Sequence, residues 1–221
     1  MSIAERFASA LAEVTDPALA GPELLPVRLA RACARTLSVE DAGLSLVDAS
    51  QQRVPLGASS DVAEVAERLQ FTVGAGPCMT AQETREPVFA VEDDLRRRWP
   101  VFTELLVAAT PFRAVVALPL QPALAGAGAI DLYFRTSAEV VDLDVFDALA
   151  VGELVTSALS DAAVWEAIGK LSVDLEVSAP DALTLLRAHA YARGVTVDDV
   201  AEDLLSGRLT AADLVGREEA G

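Results

Sequence analysis

The chain has 221 residues, which is too long for one domain of about 100–150 residues and too short for three ordinary domains. The sequence is 52% hydrophobic and 23% charged, so a folded core can form and wholesale disorder is excluded. Its formal net charge of -17 excludes a protein that binds polyanions non-specifically by neutralising many phosphates.

Cysteine usage and hydropathy indicate the compartment. Cys33 and Cys78 are too few for a disulfide framework and lack the spacing of a zinc site. Free thiols are typical of a reducing cytosol, so we expect a cytoplasmic protein. No apolar run of about 18 residues is free of charge, and charged residues interrupt the N-terminal segment. We therefore expect neither a transmembrane helix nor a signal peptide.

The first two thirds of the chain predict short helices alternating with strands. Apolar residues at helical spacing predict helices over 2–14, 24–37, 61–69, 79–84 and 102–109. Alternating or β-branched runs predict strands over 43–47, 54–56, 88–91, 114–120 and 129–134. The glycines and proline within 74–77 predict a loop there. The last two strands, joined by a glycine-containing turn, predict an antiparallel pair.

The last third of the chain predicts helices only. A helical pattern over 143–175 exceeds ordinary helix length, which is typical of a helix that connects domains or pairs with its own copy. Capping-box patterns at 178–181, 196–199 and 210–213 then predict three helix starts. Gly194 and Gly207 predict the ends of the first two of these helices.

Several of these segments resemble a known bacterial family. The stretch VGAGPCMTAQETREPVFAVEDDL, followed by RWPVFTELL, RAVVALPL and AGAIDLYF, resembles the GAF domain of GAF–ANTAR regulators. The tail AIGKLSVDLEVSAPDALTLLRAHAYARGVTVDDVAEDLLSGRL resembles their ANTAR module. The resemblance covers roughly residues 20 to 210.

The resemblance implies an α+β fold: an antiparallel-sheet GAF domain flanked by helices, a long connecting helix and a C-terminal three-helix ANTAR module. We expect an N-terminal helix over 1–19, a sensor domain over 20–158 and the helical module over 159–215. The family implies a homodimeric transcription antitermination regulator. Such a regulator binds hairpins in nascent leader RNA under the control of a signal, often a small ligand, at the GAF domain.

Candidate RNA-binding residues lie in the tail. Lys170, Arg187 and Arg193 supply cations for phosphates, and Tyr191 supplies a ring on which a loop base can stack. Arg187 and Tyr191 are four residues apart and therefore share one helix face. The alternative interpretation of all four is a solvated helix surface. Two modules linked in a dimer would bind RNA more tightly than one, through effective concentration.

Candidate ligand-pocket residues are assigned by analogy with pocket-forming elements of the family: Phe71, Cys78, Phe89, Trp99 and Phe112. Each has an alternative role as a core residue, and Cys78 is either a reactive thiol or a small buried side chain. No metal-ligand cluster, catalytic triad or phosphate loop is recognisable in the sequence. We therefore expect no enzymatic activity, no cofactor and no metal.

Two departures from the family pattern leave a second hypothesis open. Ala75 stands where the GPC loop usually carries an acidic residue, and Val195 stands where the tail usually carries a basic residue. From Asp161 onward the tail has twelve acidic residues against five basic ones, a net charge of -7. The alternative is a regulatory or dimerisation protein with a small-ligand GAF domain and an acidic, degenerate tail that does not bind RNA.

Overall fold

The computed structural model describes residues 1–19, 24–47, 53–120, 128–177 and 179–215. Among these residues, one compact unit ends at Thr156 and a second begins at Ser157. We call them the sensor unit and the tail unit. The N-terminal helix belongs to the sensor unit, where Arg6 donates to the carbonyl of Thr36 at 2.9 Å and pairs with Asp147 at 3.1 Å.

The helices are α1 (Ile3–Ala12), α2 (Leu25–Leu37), α3 (Asp61–Val73), α4 (Pro77–Thr84), α5 (Glu92–Arg98), α6 (Pro100–Ala109), α7 (Val145–Asp174), α8 (Ala179–Arg193), α9 (Val197–Leu205) and α10 (Ala211–Leu214). The strands are β1 (Asp41–Val47), β2 (Arg53–Ala58), β3 (Val88–Ala90), β4 (Ala114–Pro119) and β5 (Gly128–Phe134). Every predicted strand is present, with bounds that differ by one or two residues. The predicted loop over 74–77 is shorter, because Pro77 is accepted in the first turn of α4.

The five strands form one sheet in the order β2-β1-β5-β4-β3, and all neighbouring strands are antiparallel. The predicted α+β class with an antiparallel sheet is confirmed, as is the predicted pairing of β4 with β5. The sequence also predicts a polar turn over 48–53 between β1 and β2 and a glycine-containing turn over 121–128 between β4 and β5. Residues 48–52 and 121–127 lie outside the described residues.

Side chains alternate between the two faces of this sheet. One face carries Val115, Ala117 and Tyr133, which belong to an apolar core with α3, α4, α5 and α6. The ring of Tyr133 stacks on Phe112 with centroids 4.7 Å apart. On the other face a Cβ at Gly57 would overlap with the backbone of α2, so only glycine permits this close approach.

The tail unit has an aliphatic core. Its buried side chains are Ala167, Ile168, Leu171, Ala182, Leu186, Ala190, Val200, Ala201, Leu204, Leu209 and Leu214. The capping boxes predicted at Thr196 and Thr210 are both present. Gly194 and Gly207 adopt positive φ angles of 67° and 76° after α8 and α9, as expected for residues that end helices. Ser178, the predicted cap of α8, lies outside the described residues.

Helix α7 is 30 residues long and spans the junction of the two units. Among the described helices it alone is long and apolar enough to cross a membrane, with a mean hydropathy of 1.2 over an 18-residue window. Core helices of soluble proteins meet the same criterion, so length and composition here give only weak evidence for a membrane span.

Candidate functional site: a buried polar cluster and an edge groove

Eight polar side chains lie buried together between the sheet and helices α3 and α4. We call them the polar cluster: Ser45 of β1, Arg53 of β2, Glu67 and Gln70 of α3, Cys78 and Gln82 of α4, and Asp131 and Tyr133 of β5. Buried charged residues are rare unless they are paired. The buried charged residues Arg53, Glu67 and Asp131 therefore make this face of the sheet a candidate functional site.

Arg53 is the centre of the cluster. Its Nε donates to the sulfur of Cys78 at 3.1 Å, and one terminal nitrogen donates to the carbonyl of Glu67 at 3.0 Å. The other terminal nitrogen forms a short ion pair with the Glu67 carboxylate and lies 3.4 Å from Oδ2 of Asp131. Arg53 thereby connects β2 to α3, α4 and β5.

Asp131 interrupts an otherwise apolar strand. Gly43 and Ala117 lie opposite it on the two neighbouring strands and offer it no side-chain partner. Its contacts come instead from helix α3, where Nε2 of Gln70 donates to Oδ2 at 2.8 Å, and from Arg53. A Cβ at Gly43 would overlap with the Glu67 carboxylate, so a larger residue there would force this acid or the strand to shift.

Cys78 is held by both its backbone and its thiol. Its N–H donates to Oε1 of Gln70 at 3.1 Å, and its sulfur lies 3.1 Å from the Ser45 hydroxyl. A Cβ at Gly76 would overlap with the Gln70 amide, which explains why glycine precedes Pro77. Burial raises the pKa of the Cys78 thiol well above its ordinary value, and Asp131 adds to that effect. The thiol is therefore neutral at physiological pH.

The electrostatics of the cluster are dominated by desolvation. Burial, and then the neighbouring Glu67 carboxylate, raises the pKa of Asp131 well above its ordinary value. Burial likewise raises the pKa of Tyr133, whose hydroxyl donates to Oε1 of Glu67 at 2.6 Å. Burial lowers the pKa of Arg53, but the acidic groups of Glu67, Cys78, Asp131 and Tyr133 together more than offset this, so Arg53 stays protonated.

A groove of about 840 Å³ lies at the β2 edge of the sheet, bounded by the start of α2 and by α3. Its apolar lining includes Leu19, Leu24, Val27, Val54, Leu56 and Phe71. Arg31, Glu64 and Arg68 add charge, and Glu67 joins the groove to the polar cluster. An apolar cavity with a few polar groups is the usual form of a small-molecule site.

The structure does not bring the five predicted pocket residues into one cavity. Phe71 lines the groove and Cys78 belongs to the polar cluster. Trp99 and Phe112 are packed in the apolar core beneath α5 and α6, because their rings fill space between these helices and the sheet. Phe89 is 40% exposed, since it points away from the core between Val88 and Ala90.

The four predicted RNA-binding residues all lie on helices of the tail unit. Nζ of Lys170 pairs with Asp174 at 2.8 Å. Arg187 and Arg193 are exposed and form no ion pair with any other residue that the structure describes. Tyr191 lies between them on α8 with 91% of its surface exposed.

Sequence reasoning missed Arg53, Glu67, Gln70 and Asp131. Arg53 follows a polar turn and Glu67 lies on an amphipathic helix, so both resemble surface residues in the sequence. The one signal was Asp131, an acid inside the apolar strand AIDLYF. Across the part of the chain that the structure describes, no group of three His, Cys, Asp or Glu side chains is placed to hold a metal ion.

No protein-family model and no curated protein matches this chain. Among solved structures, the GAF domain of a phosphoenolpyruvate-protein phosphotransferase from Coxiella burnetii is 14% identical with a TM-score of 0.49, covering 73% of this chain and 96% of that one. Free methionine-R-sulfoxide reductase from Neisseria meningitidis, solved with its substrate, is 16% identical with a TM-score of 0.47 and covers 70% and 86%. The GAF domain of an Acinetobacter phosphoenolpyruvate-protein phosphotransferase is 11% identical with a TM-score of 0.44 and covers 72% and 97%. Similarities this distant concern architecture alone, and no activity or ligand is inferred from them.

Proposed function

We propose that this chain is a signal-responsive regulator in which a GAF-type sensor unit controls an ANTAR-type helical unit that binds RNA hairpins. The regulator acts in transcription antitermination, as a cytoplasmic homodimer without catalytic activity. The order of the two resemblances along the sequence supports this proposal. The antiparallel sheet followed by a helical tail is the architecture that such a regulator requires.

The sensor half of the proposal is supported by the groove beside the polar cluster. The groove is large enough for a small molecule, and Glu67 is shared between its wall and the buried charges. A ligand that displaces α3 would therefore disturb Arg53 and Asp131 as well. A signal of this kind reaches the tail through a change in the pairing of two connecting helices in the dimer.

One observation carries the RNA half of the proposal. Arg187, Tyr191 and Arg193 project from α8 into solvent, and neither arginine has an acidic partner among the described residues. By contrast, Arg208 is paired with Glu202 and Asp203. Unpaired guanidinium groups hold phosphates, and an exposed tyrosine offers a stacking surface for an unpaired base. Lys170 remains a weaker candidate, because it must exchange Asp174 for a phosphate.

The test is a binding titration of the full-length protein against leader RNA that carries two adjacent hairpins. We expect Tyr191→Ala to weaken binding by about 1–3 kcal/mol, the usual contribution of one base stacked on an aromatic ring. We expect Arg187→Glu with Arg193→Glu to abolish binding at moderate salt and to lower the salt dependence, since each phosphate contact contributes about one unit of slope.

The matched control is Arg96→Glu with Arg97→Glu. It makes the same change in net charge at two exposed arginines of the sensor unit, each already paired on its own helix. We expect this control to bind RNA almost as tightly as the natural protein. Equal losses in both double variants would show that only overall charge matters, which contradicts a specific surface on α8.

The alternative function, a regulatory or dimerisation module without RNA affinity, is favoured by the acidic character of α9. Four acidic residues, Asp198, Asp199, Glu202 and Asp203, lie on this helix. Under this alternative the natural protein fails to bind hairpin RNA even at low salt. The α8 variants then change only the binding of a protein partner, or nothing.

A further inference from the structure

The polar cluster contains more acidic charge than basic charge. The ionisable groups that face Asp131 are Arg53 of β2, Glu67 of α3, Cys78 of α4 and Tyr133 of its own strand. Gly43 on β1 and Ala117 on β4, its cross-strand neighbours, carry no charge. With the thiol and the phenol neutral, two ionised carboxylates would share the single positive charge of Arg53.

Solvent does not compensate this imbalance. Asp131, Glu67 and Arg53 are all at most 4% exposed. An uncompensated charge in such surroundings is costly, and proteins usually avoid it by neutralising the group. Arg53 already pairs with the Glu67 carboxylate and lies 3.4 Å from Oδ2 of Asp131. Asp131 is therefore the member of the cluster that lacks a full counter-charge.

The hydrogen bonds of Asp131 fall on one of its two oxygens. Oδ2 accepts from both Gln70 and Arg53, whereas Oδ1 is buried and has no hydrogen-bond partner. An ionised carboxylate shares its charge between both oxygens, so a buried Oδ1 without a donor costs more free energy in the ionised form than as a neutral hydroxyl. A proton on Asp131 therefore lowers the cost of burying this side chain.

We propose that Asp131 keeps its proton at neutral pH in the folded sensor unit, so that packing of α3 and α4 on the sheet is coupled to the binding of one proton. The cluster is then electrically neutral, with Arg53 balanced by Glu67. Rising pH removes the proton and weakens the attachment of both helices. The sensor unit thereby contains a pH-sensitive element that is independent of any ligand or RNA.

The sign of the effect follows from the direction of the pKa shift. Burial, and then Glu67, raises the pKa of folded Asp131 above the value of about 3.9 that an unfolded aspartate has. Between the two pKa values the folded state holds a proton that the unfolded state has lost. The stabilisation is therefore complete below about pH 4 and is lost as pH rises through the folded pKa.

The direct test is carbon-13 NMR of the full-length protein with labelled aspartate. We expect the assigned carboxyl carbon of Asp131 to show the chemical shift of a protonated acid at pH 6, while exposed aspartates show that of a carboxylate. An Asp131 signal in the ionised position at pH 6 overturns the proposal. This measurement uses the natural sequence and does not depend on whether a variant folds.

The second test compares unfolding of the natural protein with that of Asp131→Asn, in which an amide replaces the neutral acid. Between about pH 5 and pH 7.5, below the titration of unfolded cysteine near 8.5, the natural protein should lose up to about tenfold in its folded-to-unfolded ratio per pH unit. Asp131→Asn should lack this slope. Asp94→Asn, a surface control, should keep it, and equal slopes in all three proteins contradict the proposal.

Discussion

The two units of the chain place their charges in opposite surroundings. The sensor unit buries Arg53, Glu67 and Asp131 beneath α3 and α4, where they depend on one another. The tail unit has an aliphatic core, and none of its charged side chains that the structure describes is buried. Charges inside a protein are strongly coupled and costly to disturb, whereas exposed charges contribute little to stability and are free to contact a partner. The difference is consistent with the proposed division of the chain into a unit that senses a signal and a unit that contacts a partner.

The largest loss of stability is expected from removing the positive charge of Arg53 at the centre of the polar cluster. We expect Arg53→Met to lower the free energy of unfolding of the sensor unit by about 3–5 kcal/mol, because it leaves the buried Glu67 carboxylate without a counter-charge. The measurement is urea denaturation followed by the fluorescence of buried Trp99, in a background where the exposed Trp165 is replaced by Phe.

The control for Arg53→Met is Arg97→Met, which breaks an exposed pair with Asp94. We expect this change to cost less than about 1 kcal/mol, as is usual for surface ion pairs. Similar losses in both variants would contradict the contrast between buried and exposed charge.

The tail unit should respond most strongly to a loss of apolar volume. Leu186 is fully buried at the centre of its core, so we expect Leu186→Ala to cost about 2–5 kcal/mol and to melt α8 and α9 together. Helical circular dichroism during thermal unfolding measures the change. Val173→Ala, at a side chain that is 78% exposed, should change stability by less than about 0.5 kcal/mol.

A smaller effect is expected from filling the space beside the polar cluster. Gly43→Ala places a methyl group against the Glu67 carboxylate, so the acid must shift or the strands must separate. We expect a loss of about 1–3 kcal/mol, typical of overpacking. Gly74→Ala serves as a comparison, because a Cβ at Gly74 meets no neighbouring atom. Any loss of stability in that variant comes from the positive φ angle of residue 74 alone. An Ala variant at position 43 as stable as the natural protein would show that the cluster is loosely packed.

The smallest effect concerns a helix cap of the tail. The Thr196 side chain and backbone donate to Asp199 and hold the pKa of that carboxyl below its ordinary value. We expect Thr196→Ala to cost about 1 kcal/mol at neutral pH. The natural protein should lose this stabilisation as pH falls through the lowered pKa of Asp199, and the variant should lose less. A series of thermal melts from pH 7 to about pH 3 measures how the melting temperature of each protein depends on pH. The same pH dependence in both proteins would contradict a stabilising hydrogen bond between Thr196 and Asp199.

The sequence predicted the elements of this fold better than it predicted the polar cluster. Local features such as the apolar periodicity of α7 and the box at Thr196 depend on residues a few positions apart, so a single sequence contains them. The acidic partners of Arg53 are 14 and 78 positions away and meet it only in the folded sheet. An arginine after a polar turn and a glutamate on a helix are indistinguishable from solvated residues until then.

The predicted pocket residues illustrate the same limit. Aromatic side chains are equally suited to lining a cavity and to filling a core. Trp99 and Phe112 are buried in the apolar core. The groove at Phe71 required knowledge of how α2 and α3 approach the edge strand. The exposed residues on α8 were easier to identify, because a helix face follows directly from residue spacing.

The mutual dependence of Arg53, Glu67 and Asp131 has a consequence for the evolution of this protein. The three residues come from β2, α3 and β5. Loss of Arg53 or Glu67 leaves a buried charge without its counter-charge, and loss of Asp131 removes the oxygen that accepts from Gln70 and Arg53. We expect related sequences to retain all three or to replace them jointly with apolar residues. Co-variation among these positions would then trace the ancestry of the sensor unit independently of its tail.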